Sequence, residues 1–242
     1  MNLIIDIGNT QAKLAVFEDD KIVFRIQVDA ENIFQKIEEI QKKYKNIKNA
    51  IVSSVGKLDK NSFETLKKDF RLLILDHKTP LPFKNLYSTP ETLGIDRIAL
   101  VCASVEKYNN KNVLIIDAGT CITYDFINAD NEYLGGAISP GLRMRYKALH
   151  NQTAKLPLLK TKASEVLIGD STESAMHSGI FNGVVFEIEG NVEAYRKKNG
   201  DLTVILTGGD TKMLSKQLKS SIFANSNFLL EGLNFILQFN TN

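Results

Sequence analysis

The chain has 242 residues and carries 30 lysine and arginine side chains against 28 aspartate and glutamate side chains. This near balance excludes the strong positive field that favours binding to nucleic acid or to an anionic membrane surface. The two cysteines, Cys102 and Cys121, form no CxxC pair, so neither a disulfide framework nor a zinc site is indicated. No apolar run approaches the ~20 residues that span a bilayer, and the N-terminus lacks the basic region of a leader. We therefore expect a soluble, cytoplasmic protein with no membrane and no nucleic-acid partner.

The first part of the chain predicts three strands followed by alternating helices and strands. LIID, KLAVF and KIVFRIQV are separated by two short turns, a pattern typical of a three-strand meander. The next segment places Ile33, Ile37 and Ile40 on one face, which predicts an amphipathic helix. AIVSSV and RLLILD then have the character of buried strands on either side of a helix from about Asp59 to Asp69.

The stretch from Asp76 to Gly94 is too long for an ordinary connection and contains three prolines. Loops longer than ~12–15 residues are usually functional or disordered. Because this one carries the apolar side chains of Phe83, Leu86 and Tyr87, we interpret it as functional.

The second part of the chain restarts the same pattern after a helix in GIDRIALVCASVEKY. It begins with NVLIIDAGT, CITYDFIN and EYLGGAIS, three strands joined by two tight turns. Ser139 and Pro140 have the residue types of an N-cap and a first helical position, which predicts a helix through about His150. A long helix over residues 170–198 and a buried strand in DLTVILTGG follow.

An internal repeat links the two parts. LIID occurs at residues 3–6 and again at 114–117, an offset of 111 (114 − 3), and Gly8 then falls on Gly119. This predicts two similar halves, residues 1–111 and 112–242, each an α/β domain with a mixed sheet, a three-strand meander and flanking helices.

Each repeat ends in an aspartate followed by a glycine-containing turn. A glycine allows backbone N–H groups to approach phosphate oxygens, and Asn9, Thr10 and Thr120 add side-chain donors. Asp6 and Asp117 would face each other across a cleft and hold hydrated cations against the phosphates. A single D-x-G-N sequence is more often an ordinary hairpin turn. Two copies in two similar halves, with TGGD after a third strand, favour a phosphate site instead.

Two aspartate turns and a later strand that ends in Gly-Gly resemble the actin-like ATPase superfamily, with its ribonuclease H-like domains. No GxxxxGK[ST] or GxGxxG motif occurs in the sequence, which removes two rival nucleotide signatures. A set of six motifs in the right order more closely resembles the type III pantothenate kinase family: DIGNTQAK at 6–13, GIDR at 94–97, DAGTCITYD at 117–125, GGAISPG at 135–141, HNQTAKLP at 150–157 and TGGD at 207–210. Cys121 departs from the alanine usual in the family, but its side chain is similarly small.

The resemblance implies a reaction in which the primary hydroxyl of pantothenate receives the γ-phosphoryl group of ATP, the first step toward coenzyme A. It implies that Asp96 is the general base and that Asp117 is the ligand of a monovalent cation, K⁺ or NH₄⁺, needed beside Mg²⁺. The implied ATP-binding residues are Asp6, Ile7, Gly8, Asn9, Thr10, Gln11, Ala12, Lys13 and Thr120. The implied pantothenate-binding residues are Tyr87, Gly94, Ile95, Asp96, Arg97 and Thr172.

Several of these residues also have an ordinary structural interpretation. Thr172 resembles a threonine that the family donates across a homodimer interface, yet Thr172, Ser171 or Asp170 would equally serve as a helix cap. Lys13 either reaches phosphate oxygens or points to solvent. Two other functions stay open: a kinase of another small acceptor on the same fold, and a nucleotide-binding regulator without enzymatic activity.

Overall fold

Two mixed sheets organise the protein, whose computed structural model describes residues 1–8, 11–54 and 60–241. One sheet lies in a unit formed by Met1–Lys107 with Asn227–Asn242, and the other lies in a unit formed by Tyr108–Ser226. The first is called unit 1 and the second unit 2. The halves 1–111 and 112–242, defined by the sequence repeat, stay a prediction.

The sheet of unit 1 begins with the predicted meander. The strands β1 (Asn2–Ile7), β2 (Gln11–Glu18) and β3 (Lys21–Asp29) are antiparallel neighbours, and β1 also pairs in parallel with β4 (Asn49–Ser54), which pairs in parallel with β5 (Arg71–Ile74). The strand order is therefore β3-β2-β1-β4-β5. Also before residue 108 are α1 (Ile33–Lys43), α2 (Lys60–Asp69), the short strand β6 (Lys84–Asn85) and α3 (Ile95–Lys107), with short 3-10 turns at Ala30–Asn32 and Pro90–Thr92.

Hydrophobic periodicity explains how the helices of unit 1 attach to its sheet. Ile33, Ile37 and Ile40 of α1 are all buried, as the sequence pattern predicted. They pack against apolar side chains of β1, β2 and β4, with Leu66 of α2 in the same cluster. The core of this unit therefore lies between the sheet and these helices.

The sheet of unit 2 repeats the arrangement. The antiparallel strands β7 (Val113–Ala118), β8 (Cys121–Ile127) and β9 (Glu132–Pro140) form the second predicted meander. β7 pairs in parallel with β10 (Thr203–Thr207), just as β1 pairs with β4, and β10 pairs with β11 (Phe223–Ala224). The helices of this unit are α4 (Leu142–Gln152), α5 (Thr172–His177), α6 (Gly183–Asn199) and α7 (Thr211–Leu214).

The start of α4 corrects one sequence prediction. Ser139 and Pro140 do not begin the helix, because β9 continues through them and pairs them with Ile122 and Cys121. The helix instead starts at Leu142 with Gly141 in the capping position. Strand pairing has overridden the local capping signal.

The long helix predicted over residues 170–198 contains an irregularity. Between α5 and α6, Ser178–Asn182 forms a π-helical turn. The side chain of Ser178 donates to the carbonyl of Leu167 (2.7 Å), and that of Asn182 donates to the carbonyl of Val166 (2.9 Å). These bonds attach the preceding loop to the helix at the point where its pitch changes.

The final helix, α8 (Phe228–Phe239), belongs to unit 1 and packs against α3. Gly232 permits the contact, since a Cβ at this position would lie 1.9 Å from the carbonyl oxygen of Ala99. On the sheet side, the amide of Asn2 donates to the buried Asn234 at 2.9 Å. Among the residues described, no helix combines the length and apolar character needed to cross a membrane.

Candidate active site

The first aspartate turn lies at the carboxyl end of β1. Asp6 is paired across the sheet with Lys13 of β2 on one side and with Ser53 of β4 on the other. The turn is closed by a hydrogen bond from the backbone N–H of Gly8 to the carbonyl of Gln11 (2.9 Å). Asn9 and Thr10, which the sequence predicted as phosphate donors, lie outside the described residues.

Burial dominates the electrostatics of Asp6. Its side chain is 14% exposed, and the Lys13 Nζ atom lies 3.9 Å from its Oδ2 atom. Burial raises the pKa of Asp6 from the ordinary value of 3.8 to about 6. The charge of Lys13 and a hydrogen bond from Ser53 oppose this rise, whereas the negative charge of Asp96 adds to it. Asp6 and Asp96 therefore lie close enough to interact.

The GIDR motif forms the start of α3. Asp96 is in the first helical turn, and its Oδ1 atom accepts a hydrogen bond from the backbone N–H of Arg97 (2.8 Å). A Cβ on Gly94 would lie 2.4 Å from the same Oδ1 atom, so the carboxylate occupies space that the glycine leaves open. The motif thereby sets the rotamer of Asp96 through contacts with its own backbone.

Arg97 is only 5% exposed, which is unusual for an arginine. Its guanidinium carbon lies 5.6 Å from the ring centroid of Tyr87, a distance suited to a cation–π interaction. Unit 1 thus brings three of the predicted substrate residues, Tyr87, Asp96 and Arg97, into one region beside Asp6.

The segment 76–94 that carries Tyr87 is held at both ends. The Oδ1 atom of Asp76 accepts from the backbone N–H of Thr79 (2.9 Å). The Nε2 atom of His77 donates to the carbonyl of Leu93 (2.8 Å), which links the start of the segment to its end. The segment 76–94 therefore forms a loop whose two ends are joined by a hydrogen bond.

The second aspartate turn lies at the equivalent end of β7. Asp117 is paired with Thr123 of β8 and with Thr207 of β10. The turn is closed by a hydrogen bond from the N–H of Gly119 to the carbonyl of Cys121 (2.9 Å), the same device as in the first turn.

Two further glycines pack against this second turn. A Cβ on Gly141 would lie 2.3 Å from the carbonyl oxygen of Gly119. A Cβ on Gly208 would lie 2.3 Å from Oδ1 of Asp117, and Gly208 has a φ of 95°, a conformation that favours glycine. The neighbouring Asp210 donates its N–H to the carbonyl of Ala118 (3.0 Å). The GGAISPG and TGGD motifs therefore contact this turn through their main-chain atoms.

Oxygen atoms near Asp117 suit a hard cation. The Thr123 hydroxyl oxygen is buried, and within the described ranges it has no hydrogen-bond partner. Those same ranges contain no cluster of three or more His, Cys, Asp or Glu side chains placed to hold a metal ion. A cation at this turn would therefore need oxygen ligands beyond carboxylates.

Comparison with known proteins identifies the family. The sequence profile of type III pantothenate kinase matches residues 2–194. A type III pantothenate kinase from Christiangramia forsetii is 57% identical over 240 residues, which cover 99% of both chains. The chain belongs to the type III pantothenate kinase family.

Solved structures support the same fold. A Campylobacter jejuni protein, described as a candidate Baf family transcriptional activator, has a TM-score of 0.64 and 25% identity, with 98% of each chain covered. A glucokinase from an Antarctic psychrotroph has a TM-score of 0.57 at 12% identity, with 98% of each chain covered. The predicted two-domain actin-like ATPase fold, which is shared with sugar kinases, is thus confirmed.

The remaining residues that resemble the type III pantothenate kinase pattern lie in different environments. Ile7 and Ala12 point into the core of unit 1, so only their backbone atoms are available to a ligand. The side chain of Gln11 contacts Gln27 (2.6 Å). Thr172 is the exposed first residue of α5, and Ser171 provides the capping box with Ser174. Thr172 is therefore not needed as a cap.

Sequence reasoning missed two polar residues near the aspartate turns. Ser53 is the parallel-strand partner of Asp6, a position that becomes visible only once AIVSSV is aligned in register with LIID. The second is Arg145 of α4, whose guanidinium binds Glu187 of α6. No sequence spacing signals that pair, because 42 residues separate its members.

Proposed function

We propose that this chain phosphorylates the primary hydroxyl of pantothenate with ATP, the first step of coenzyme A biosynthesis, in the cytoplasm. The observation that carries the proposal is the GIDR site in a chain of this family. There Asp96 and the buried Arg97 lie together with Tyr87, next to the aspartate turn of β1.

Asp96 is the general base in this proposal. The pantothenate hydroxyl oxygen attacks the γ-phosphorus in line, the bond from that phosphorus to the β–γ bridging oxygen breaks, and ADP leaves. The hydroxyl proton passes to the Asp96 carboxylate. The hydrogen bond from the Arg97 N–H to Oδ1 holds the carboxylate in one orientation, which supports this role.

Arg97 and Tyr87 recognise the acceptor. A guanidinium presents a planar set of donors to a carboxylate or an amide oxygen. The Tyr87 ring beside it limits the positions that the guanidinium can adopt. Gly94 and Ile95 contribute backbone atoms at the start of α3, where N–H groups favour an anionic ligand.

The ATP phosphates bind at the turns that follow Asp6 and Asp117. The residues from Asp6 to Lys13 form the first of these sites, including Asn9 and Thr10 outside the described residues, and Thr120 lies in the second. Glycines that allow close approach of the backbone support both assignments.

Asp6 is suited to bind Mg²⁺, and Asp117 is suited to bind a monovalent cation. Mg²⁺ usually binds through one or two carboxylates, water and substrate phosphates, and so needs no dense acidic cluster. Asp117 with the buried oxygen of Thr123 fits a monovalent cation, K⁺ or NH₄⁺. Such cations neutralise phosphate charge as the reaction proceeds.

A homodimer completes the substrate site in this proposal, with Thr172 of a second copy contacting pantothenate. Thr172 is exposed, and Ser171 already caps α5, which leaves the threonine hydroxyl available. Sedimentation equilibrium tests the dimer. A fully active monomer would contradict this part.

The central test measures ADP release that depends on pantothenate, for the wild type and for Asp96→Asn, with potassium or with sodium. We expect Asp96→Asn to lower kcat by ~10²–10⁴-fold, as loss of a general base does, while ATP still binds. Glu91→Gln, which changes an exposed acid in the segment just before α3, serves as the matched control. Turnover that is independent of pantothenate would refute the function, and an active Asp96→Asn would refute only the base.

A second candidate function is a regulator that binds DNA, favoured by the description of the Campylobacter jejuni protein. The net charge of +2 speaks against it, because nonspecific DNA affinity rises with the number of phosphate contacts. Titration of a fluorescent duplex near physiological salt separates the two functions. An acceptor panel containing acetate and hexoses tests the third possibility, another small-molecule kinase.

A further inference from the structure

Glu187 of α6 is the centre of a polar cluster in unit 2. It accepts hydrogen bonds from the Tyr124 hydroxyl (2.8 Å) and the Ser139 hydroxyl (3.1 Å), and it forms an ion pair with Arg145. Arg145 also donates to the Ser139 hydroxyl oxygen (3.0 Å) and to the carbonyl of Pro140 (2.9 Å). The cluster therefore binds the last two residues of β9 from both α4 and α6.

The residue that follows this anchored pair lies on the second phosphate turn. Gly141 donates its N–H to the carbonyl of Thr120 (3.1 Å). Its Cα is so close to the turn that a Cβ would lie 2.3 Å from the carbonyl oxygen of Gly119. Residues 139–141 therefore touch the turn on one side and the Glu187 cluster on the other.

In this cluster the negative charge of Glu187 is paired with the positive charge of Arg145. Burial tends to raise the pKa of Glu187, but the hydrogen bonds from Arg145, Tyr124 and Ser139 outweigh it and hold this pKa below its ordinary value. Burial and the bond to Glu187 raise the pKa of Tyr124, which therefore stays a neutral donor at physiological pH. Glu187 is thus an anion with three donors, and charge-assisted bonds of this kind are stronger and more directional than neutral ones.

The geometry points to Glu187 and Arg145 as positioning residues for ATP: they hold residues 139–141 against the Gly119–Thr120 turn and thereby set the affinity for the nucleotide phosphates. Neither side chain contacts the substrate. The inference rests on the proposed function because it requires that the second turn binds ATP. Phosphate-binding turns act through backbone N–H groups whose directions must be fixed before the ligand arrives.

Glu189 provides a matched control on the same helix. It also accepts several hydrogen bonds, from the backbone N–H of Ser220 (3.1 Å) and from the hydroxyl of that residue. Hydrogen bonds also hold its pKa below the ordinary value against the opposing effect of burial. It anchors the chain before β11, however, and not the segment at the phosphate turn.

The experiment compares Glu187→Gln, Arg145→Gln, the double variant and Glu189→Gln by steady-state kinetics and by calorimetric titration with ATP. Glu187→Gln keeps an acceptor for Tyr124 but removes the charge that holds Arg145. We expect the KM and Kd for ATP to rise about tenfold in each single variant of the pair, as for loss of one charged hydrogen bond. The KM for pantothenate should stay within about twofold. The double variant should be no worse than either single one.

Three outcomes would overturn the inference. The ATP constants of Glu187→Gln and Glu189→Gln would be equal, or the KM for pantothenate would rise as much as that for ATP, or the two single effects would add. If Glu187→Gln does not fold, Arg145→Gln decides by comparing its ATP constants with those of Glu189→Gln and with its own KM for pantothenate. If the wild type binds ATP but does not phosphorylate pantothenate, the proposed function fails while the Kd values still test the inference. If the wild type does not bind ATP, both fail.

Discussion

Replacing Asp6 by asparagine should stabilise the protein while abolishing its activity. Burial of this side chain raises its pKa from 3.8 to about 6, so keeping it ionised in the folded protein costs free energy. Asparagine has nearly the same shape and no charge, and it can still accept the hydrogen bond from Ser53. The same change removes a proposed ligand of Mg²⁺–ATP.

The magnitude follows from linkage between protonation and folding. A folded-state pKa above the unfolded value means that the folded protein binds more protons between pH 3.8 and about 6, so stability falls as the pH rises through this window. Above it the cost is complete, and about two pKa units correspond to about 3 kcal/mol. Near pH 4.5 about 1 kcal/mol of this cost remains.

Urea unfolding of the wild type and Asp6→Asn at pH 7.5 and pH 4.5 tests this reasoning, with Asp130→Asn in an exposed turn as control. The advantage of the asparagine variant should shrink from about 3 to about 1 kcal/mol on acidification. A variant less stable than the wild type at pH 7.5 would show that Lys13 or another partner fully compensates the buried charge. An advantage independent of pH would show that the gain does not come from ionisation of Asp6.

Two pairs of glycine variants test the close backbone contacts. Gly208→Ala should destabilise unit 2 by about 1–3 kcal/mol because of its φ of 95° and the contact at 2.3 Å, whereas Gly209→Ala, with nothing within 4 Å of the added Cβ, should be nearly neutral in the same unfolding assay. Gly232→Ala should lower the melting temperature because its Cβ would meet Ala99, and Gly190→Ala in α6 should raise stability by up to about 1 kcal/mol through helix propensity. Equal effects within either pair would contradict the close backbone contacts at Gly208 and Gly232.

Local pattern was sufficient for most of the fold, and long-range pairing explains the exceptions. Apolar segments separated by short turns predicted both meanders, and the spacing of Ile33, Ile37 and Ile40 predicted α1, because these signals come from one continuous segment. The capping signal at Ser139 and Pro140 was wrong because β9 gains more from pairing with β8. Strand registers and contacts between distant elements have no such local signature.

Contacts between distant residues also have no local sequence signal at the candidate site. Motifs identified Asp96 and Arg97, since residues adjacent in a motif stay adjacent in the fold. The 5% exposure of Arg97 and its contact with Tyr87 required the structure, because the segment 76–94 folds back on itself through His77. The assignment of each motif residue to a ligand stays a prediction.

The two copies of the aspartate turn have diverged in charge while keeping one backbone design. In both, an aspartate is the penultimate residue of a central strand and a glycine N–H closes the turn. The strand neighbours of Asp6 are a lysine and a serine, whereas those of Asp117 are two threonines. A lysine nearby offsets part of a carboxylate's attraction for a cation, but threonine hydroxyls add oxygen ligands to it. These neighbours support the proposal that the second turn binds a partly dehydrated monovalent cation and that the first contacts phosphate through Lys13 and backbone N–H groups.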